Sequence, residues 1–266
     1  MPLRSSIKKV SHAEKHIQAL YKATTDWHRD PPYVLFGSST PYEPGLPYIQ
    51  FDFQIASVRE PPDTLGLIVG DVLTNLRAAL DHIAWQLAIL NLGREPTPKE
   101  APDIHFPIAL SHPKFKTARM VSKGYLTHAQ QLVVRRHQPY RLKRYTPHLQ
   151  ALAVLNQLVN ADKHRITHGV VVTAHESGVK FEAEDGEIVG EKTVVSGPLD
   201  AGQPLGSVVI NPTGPRPSVH VVEVPIEVNF GDGDVYVRVS GLQAMARTVT
   251  RVILDCLELF PRPPSD

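Results

Sequence analysis

The stretch DTLGLIVGDVLTNLRAALDHIAWQLAILNL, residues 63–92, decides the fold that this sequence predicts. Its large apolar residues recur every three or four positions, so they fall on one broad arc of a helical wheel. The residues of this arc are Leu65, Val69, Val72, Leu76, Leu80, Ile83, Leu87 and Leu90. A helix of this length, at about 1.5 Å per residue, is long enough to span a domain. We therefore expect residues 63–92 to be the central helix.

Polar residues on this same helix are the best functional clue in the chain. Asp71, Asn75 and His82 lie on a second arc, about one turn or more apart. Between the two arcs lie Arg77 and Asp81, which are four residues apart. When a helix is otherwise apolar enough for a protein core, its polar groups indicate either polar contacts between helices or a functional site.

Outside the central helix, the chain divides into helical and β-rich segments. Helical periodicity is present in residues 6–28, 127–165 and 241–259. Ser240 directly precedes the last of these stretches and is predicted to be its N-cap. After residue 168 the sequence changes to short β-like runs, among them residues 219–230, that are separated by turns such as EDGE and GDGD.

These segments predict an α+β fold, a helical bundle with a small antiparallel β unit inserted before the C-terminal helix. The bundle comprises residues 1–168 and 240–260, and the β-rich insertion comprises residues 169–239. We place an N-terminal strand near residues 48–59 with the bundle, because apolar and polar residues alternate there. Residues 31–47 are rich in Pro, Gly, Ser and Tyr and are predicted to be a loop.

Composition narrows the class of protein. The single cysteine, Cys256, excludes an internal disulfide and a zinc site built from cysteines. The sequence contains no apolar signal core and no run of about 18 apolar residues. We therefore expect a cytoplasmic protein that does not associate with membranes. No P-loop, dinucleotide-binding glycine motif or nucleophile elbow is present.

The net charge of +1 conceals two segments of opposite sign. Residues 113–165 contain eleven Lys and Arg against one acidic residue, whereas residues 171–235 contain three Lys and Arg against eleven acidic residues. Segments of one charge sign give information about binding partners, or about the docking of one part of the chain on another. They give little information about the fold.

Two short strings carry a resemblance to known proteins. LRAALDH (residues 76–82) and NADKHR (residues 160–165) together resemble a bacterial family of unassigned function. The R-x4-H pattern of Arg77 and His82 resembles the motif of the HEPN superfamily, helical-bundle proteins that include metal-independent ribonucleases and toxins. The resemblance implies an endoribonuclease or RNA-binding protein of the toxin or defence type that needs no metal and no cofactor.

The resemblance also assigns chemical roles. His82 would take the proton from a ribose 2′-OH or protonate the leaving oxygen, and Arg77 would balance the charge that develops on the phosphate. The two residues diverge by about 140° on a regular helix. A homodimer or a kink would be needed to bring both to one phosphate. Asp81, Asn75, Asp162 and His164 are the predicted supporting residues.

Two other interpretations of the same residues stay open. In the first, the chain is a non-catalytic helical scaffold in which Arg77 pairs with Asp81, His82 bonds inside the bundle, and residues 162–165 complete a buried polar clamp. In the second, the cluster of Asp162, His164 and His168 faces His82 and Asp71 of the central helix and binds a metal there, although no strict ligand motif is present.

A basic segment with interleaved tyrosines follows the helix predicted near residue 127. Arginine and tyrosine side chains can contact phosphates and stack on unpaired bases, so this segment predicts nucleic-acid binding. The predicted contact residues are Arg135, Arg136, Tyr140, Arg141, Lys143 and Arg144. Alternatively, the acidic β unit neutralises the segment within the same molecule.

Overall fold

The computed structural model describes residues 3–141, 150–162, 169–174, 179–195, 197–232 and 235–261. These residues form a mixed α+β structure with antiparallel sheets, which confirms the predicted class. The helices are α1 (Arg4–His28), α2 (Thr64–Leu92), α3 (His112–Thr117), α4 (Arg119–Ser122), α5 (His128–Arg136), α6 (Ala151–Asp162) and α7 (Val239–Leu257). The strands are β1 (Tyr33–Pro41), β2 (Ile49–Val58), β3 (Gly169–Ala174), β4 (Lys180–Glu184), β5 (Gly186–Thr193), β6 (Gly197–Pro198), β7 (Pro204–Pro212), β8 (Ser218–Glu223), β9 (Ile226–Asp232) and β10 (Val235–Val237).

The chain divides into two units, and each unit is assembled from separate segments. Unit 1 consists of residues 1–22, 64–169 and 230–266, and unit 2 consists of residues 23–63 and 170–229. Unit 1 therefore contains α2 to α7, most of α1, the end of β9 and all of β10. Unit 2 contains β1, β2, β4 to β8 and most of β3 and β9.

In unit 1, α2 is the helix around which the core forms. Twelve of its residues are buried, among them Leu73, Leu76 and Leu80, which are fully inaccessible to solvent. Helices α6 and α7 pack against α2 and against each other. Gly93 follows α2 with a φ of +67°, and its N–H donates to the carbonyl of Ile89 at 2.9 Å. This left-handed residue ends the helix.

Unit 2 is built on a four-stranded antiparallel sheet with the strand order β1-β2-β7-β5. Strand β2 pairs on one side with β1, where Phe36 lies opposite Gln54, and on the other side with β7, where Phe51 lies opposite Val208. In the same unit, β4 pairs with β8, and Phe53 lies 5.5 Å from Phe181 between ring centroids.

The predicted division of the chain needs correction at this point. The strand near residues 48–59 does not belong with the helices, because β2 shares its sheet with β7 of the β-rich segment. Part of the predicted loop 31–47 is strand β1, which is antiparallel to β2. The β-rich unit thus draws on residues 23–63 as well as on the predicted insertion. Sequence periodicity reveals a strand but not its distant pairing partner.

Two element boundaries also differ from the prediction. The last helix begins at Val239 with Arg238 as its N-cap, so Ser240 lies inside α7 and does not cap it. The run predicted from residue 219 to 230 is divided into β8 and β9 around Pro225, since proline has no N–H to donate to a sheet.

No helix among the described residues is long and apolar enough to cross a membrane.

Candidate functional site

An ion pair between Arg77 and Asp81 lies on the side of α2 that faces α6. The Nε and Nη2 atoms of Arg77 donate to the two carboxylate oxygens of Asp81 at 3.1 and 2.9 Å. Both side chains are largely buried, with 16% and 27% of their surfaces exposed. Residues four apart face the same way on a helix, which is why the pair was expected from the sequence. Such a bidentate arrangement is the strong form of an arginine–carboxylate ion pair.

This pair also binds the backbone of residues 104–109, an extended segment that we call the strap. The Phe106 N–H donates to Asp81 Oδ1 at 3.0 Å, and Arg77 Nη2 donates to the Phe106 carbonyl at 3.1 Å. The Phe106 side chain is only 1% exposed. The strap has no helix or strand partner here, so the ion pair satisfies backbone groups that burial would otherwise leave unpaired. From here on, the name polar clamp is used for the pair Arg77 and Asp81 alone.

Gln138 holds the other end of the strap. Its Oε1 accepts from the Ala109 N–H at 2.8 Å, and its Nε2 donates to the carbonyls of Pro107 at 2.8 Å and Val134 at 3.1 Å. The residue is fully buried. Sequence reasoning missed Gln138, and nothing in the local sequence distinguishes it from an exposed glutamine beyond the end of a helix.

Gln130 is a second buried glutamine that the sequence analysis did not select. Its side chain completes a capping box with Thr127 at the start of α5, and its Nε2 donates to the Leu87 carbonyl at 3.0 Å. The T-x-x-Q spacing of residues 127–130 is a sequence signal for this cap. No pattern in the local sequence predicts the hydrogen bond from Gln130 to the Leu87 carbonyl of α2.

His82 has different neighbours from Arg77. Its Nδ1 forms a hydrogen bond with the Ser5 hydroxyl of α1. On the same arc of α2, Asn75 accepts a hydrogen bond from Lys9 of α1 at 3.2 Å. The polar arc of α2 therefore faces α1, and Arg77 faces the strap and α6. The structure brings Arg77 together with Asp81, and it gives Arg77 and His82 separate sets of contacts.

Several predicted site residues lie outside the part of the chain that the structure describes. Lys143, Arg144, Lys163, His164 and His168 are among the undescribed residues, as is the side chain of Asp162. Within the described residues, no group of three or more His, Cys, Asp or Glu side chains is arranged to hold a metal ion.

The basic segment contains both exposed and packed residues. Arg136 and Arg141 are exposed, whereas Arg135 is half-buried. The ring centroid of Tyr140 lies 6.5 Å from that of Phe115 and 6.0 Å from that of His112. Burial raises the pKa of Tyr140, and its hydroxyl is inaccessible. This tyrosine is engaged in packing, and base contact would require it to leave these neighbours.

A cleft lies beside the clamp, between the strap and α6. It is lined by Ile108, Leu110, Ala153, Asn156, Gln157 and Asn160. Asn156 reaches the clamp, because its Oδ1 lies 3.5 Å from Arg77 Nη1. The described lining residues include amide groups, which can form hydrogen bonds with a ligand.

Comparisons with known proteins find no matching family model, no matching curated protein and no matching solved structure.

Proposed function

We propose that unit 1 is a non-catalytic helical-bundle scaffold in which the polar clamp fixes the strap to α2. The observation that carries this proposal is the engagement of four of the five N–H donors of the Arg77 guanidinium by described residues of the protein. Its Nε and Nη2 bind Asp81, Nη2 also binds the Phe106 carbonyl, and Nη1 approaches Asn156.

A guanidinium that stabilises a phosphate needs donors directed at the substrate. The donors of Arg77 are directed at Asp81, at Phe106 and at Asn156 instead. An adjacent carboxylate also neutralises the charge that a phosphate would require. This arrangement supports a structural role over the HEPN-like ribonuclease role, in which Arg77 and His82 act on one RNA phosphate.

The clamp should contribute measurably to the stability of the folded chain. Replacing Arg77 by Met leaves the Phe106 carbonyl without this donor and leaves the Asp81 carboxylate with the Phe106 N–H but without its guanidinium. Each orphaned, partly buried group costs about 1–3 kcal/mol. We therefore expect R77M and D81N each to lower the free energy of unfolding in urea. The double variant should cost less than the two single variants added together, because the two residues act as a pair.

A matched control is available in the exposed pair Arg29 and Asp26, in which Arg29 Nη2 lies 2.7 Å from Asp26 Oδ1. The R29M variant removes the same type of side chain from an ion pair in solvent, and we expect little change in stability.

The same proteins are incubated with a fluorogenic RNA in the presence of EDTA. The scaffold proposal predicts no cleavage by the wild-type chain. RNA cleavage that disappears in a folded H82A variant would overturn the proposal and favour the HEPN-like ribonuclease. A purely additive urea result for R77M and D81N would overturn the clamp itself.

A further inference from the structure

Positive charge is concentrated in one of the two units. Unit 1 contains 23 Lys and Arg against 12 Asp and Glu, a net charge of +11, and unit 2 contains 5 against 15, a net charge of −10. Net charge of this size controls long-range association with charged partners more than it controls fold. Helix α1 contributes five of these basic residues: Arg4, Lys8, Lys9, Lys15 and Lys22.

The buried and basic faces of α1 are opposite each other. Val10, Ala13 and Ile17 are buried on one face. Arg4, Lys8 and Lys15 are exposed and fall within about 40° of one another around the helix, on the opposite face. His12 extends this row, and we call Arg4, Lys8, His12 and Lys15 the basic row. Its length along the helix axis is about 16 Å.

The basic row opposes the local preferences of a helix. Arg4 is in the first turn, where the helix dipole disfavours a cation, and no acidic residue is present in that turn. Arg4 and Lys8 are like charges four residues apart, which is also destabilising. Within the described residues, Arg4, Lys8 and Lys15 form no ion pair that would offset these costs. Charges that oppose the preferences of their own helix, with no compensating contact inside the fold, are expected at functional surfaces.

The partner must therefore supply negative charge along a line. Double-stranded nucleic acid presents one phosphate per about 3.4 Å of each strand, so a 16 Å row of cations can reach several phosphates in sequence. Exposed aromatic side chains, which bind single strands by stacking, are missing from the row itself. The apolar face of α1 is buried in unit 1, so it cannot enter a lipid surface as an interfacial helix does.

We propose that the basic row of α1 binds the phosphate backbone of double-stranded nucleic acid. Such binding positions a protein without reading base sequence. The site is distinct from the segment Arg135–Arg144 and does not depend on the polar clamp.

The test measures binding of the full chain to a fluorescein-labelled 20-base-pair duplex by anisotropy, at salt concentrations from 50 to 200 mM. Each phosphate contact contributes about −0.9 to the slope of log K against log salt. The triple variant R4Q/K8Q/K15Q should therefore have a slope less steep by about three units. Its affinity at 100 mM salt should be lower by at least about tenfold.

The matched control is K99Q/K114Q/K116Q, which removes the same number of charges from exposed lysines elsewhere in unit 1. It should retain most of the affinity and slope of the wild type. Both triple variants should keep the wild-type circular dichroism spectrum, because all six side chains are exposed. The Tm of R4Q/K8Q/K15Q should be equal to or higher than that of the wild type, because the substitutions remove the like charges and the cation in the first turn.

Duplex DNA, duplex RNA, a single strand of equal length and anionic vesicles are compared. Tighter binding to either duplex, with the loss confined to R4Q/K8Q/K15Q, supports the proposal. Equal losses in both triple variants would show only general attraction to a basic protein and would overturn it. Preference for the single strand or for vesicles, or no duplex binding at 50 mM salt, would also overturn it.

Discussion

Gln138 is the single side chain on which the strap depends most directly. It is fully buried, and it serves one N–H and one carbonyl of the strap from beyond the end of α5. An apolar residue of similar size would fill the same space but would leave the Ala109 N–H and the Pro107 carbonyl unpaired. Such groups are costly because no water replaces the lost partner.

We expect Q138L to lower the free energy of unfolding by about 2–4 kcal/mol, since two buried groups lose their partner. The amide of Ala109 should also exchange with solvent faster than in the wild type, as measured by hydrogen exchange. Q131L is the control, because Gln131 lies on α5, is half-buried and donates to the Leu126 carbonyl at 3.1 Å. If Q131L costs as much as Q138L, the strap bonds are not the cause.

His137 makes stability depend on pH. Burial lowers its pKa below 6.5, and this effect exceeds the opposing attraction of Asp255, whose Oδ2 lies 2.8 Å from Nε2. Because the folded state binds the proton less readily than the unfolded state, His137 contributes stability above pH 6.5 that is lost as the pH falls.

The Tm of the wild type should therefore fall more between pH 7.5 and pH 5 than the Tm of H137Q, as measured by thermal unfolding. The exposed His128 provides the control, and H128Q should follow the wild-type pH dependence. Parallel pH profiles for the wild type and H137Q would contradict the assignment.

At the scale of elements, strong periodicity made the long helices predictable. Helix α2 begins one residue after the predicted start at residue 63 and ends at the predicted Leu92, because its apolar arc extends over all its turns. Helix α1 was predicted from residue 6 and begins at Arg4. The i,i+4 pairing of Arg77 and Asp81 could likewise be read from spacing, since both residues are on one element.

Contacts between distant elements could not be read in the same way. Strand β1 has a burial pattern that is mostly exposed, so its sequence resembles a loop. Strand β2 pairs with β1 on one side and with β7 on the other, and local alternation identifies neither partner. The bond between His82 and Ser5 joins residues 77 positions apart and had no signal in the sequence.

At the scale of the whole molecule, neither unit is one continuous segment of the chain. Unit 1 needs residues from the N-terminal, central and C-terminal thirds of the sequence. Helix α2 packs against α6 within the central segment, but it also packs against α7 at the other end of the chain.

A fragment comprising residues 64–169 should therefore fail to fold. It lacks α1 and α7, and the apolar face that α2 presents to α7 would be exposed to water at about 25 cal/mol per Å². We expect no cooperative unfolding transition by circular dichroism, whereas the full chain should show one. A fragment with a sharp transition and dispersed amide resonances would show that α6 and the strap suffice for the core.

The dependence of α2 on α7 has a consequence for protein synthesis. A ribosome adds about 5–20 residues per second, so about 8–30 s pass between the translation of Leu92 and that of Leu257. During this interval the nascent α2 has no C-terminal helix to cover it. Chains stalled before residue 239 should consequently recruit a chaperone that recognises apolar segments, and chains released after residue 257 should not.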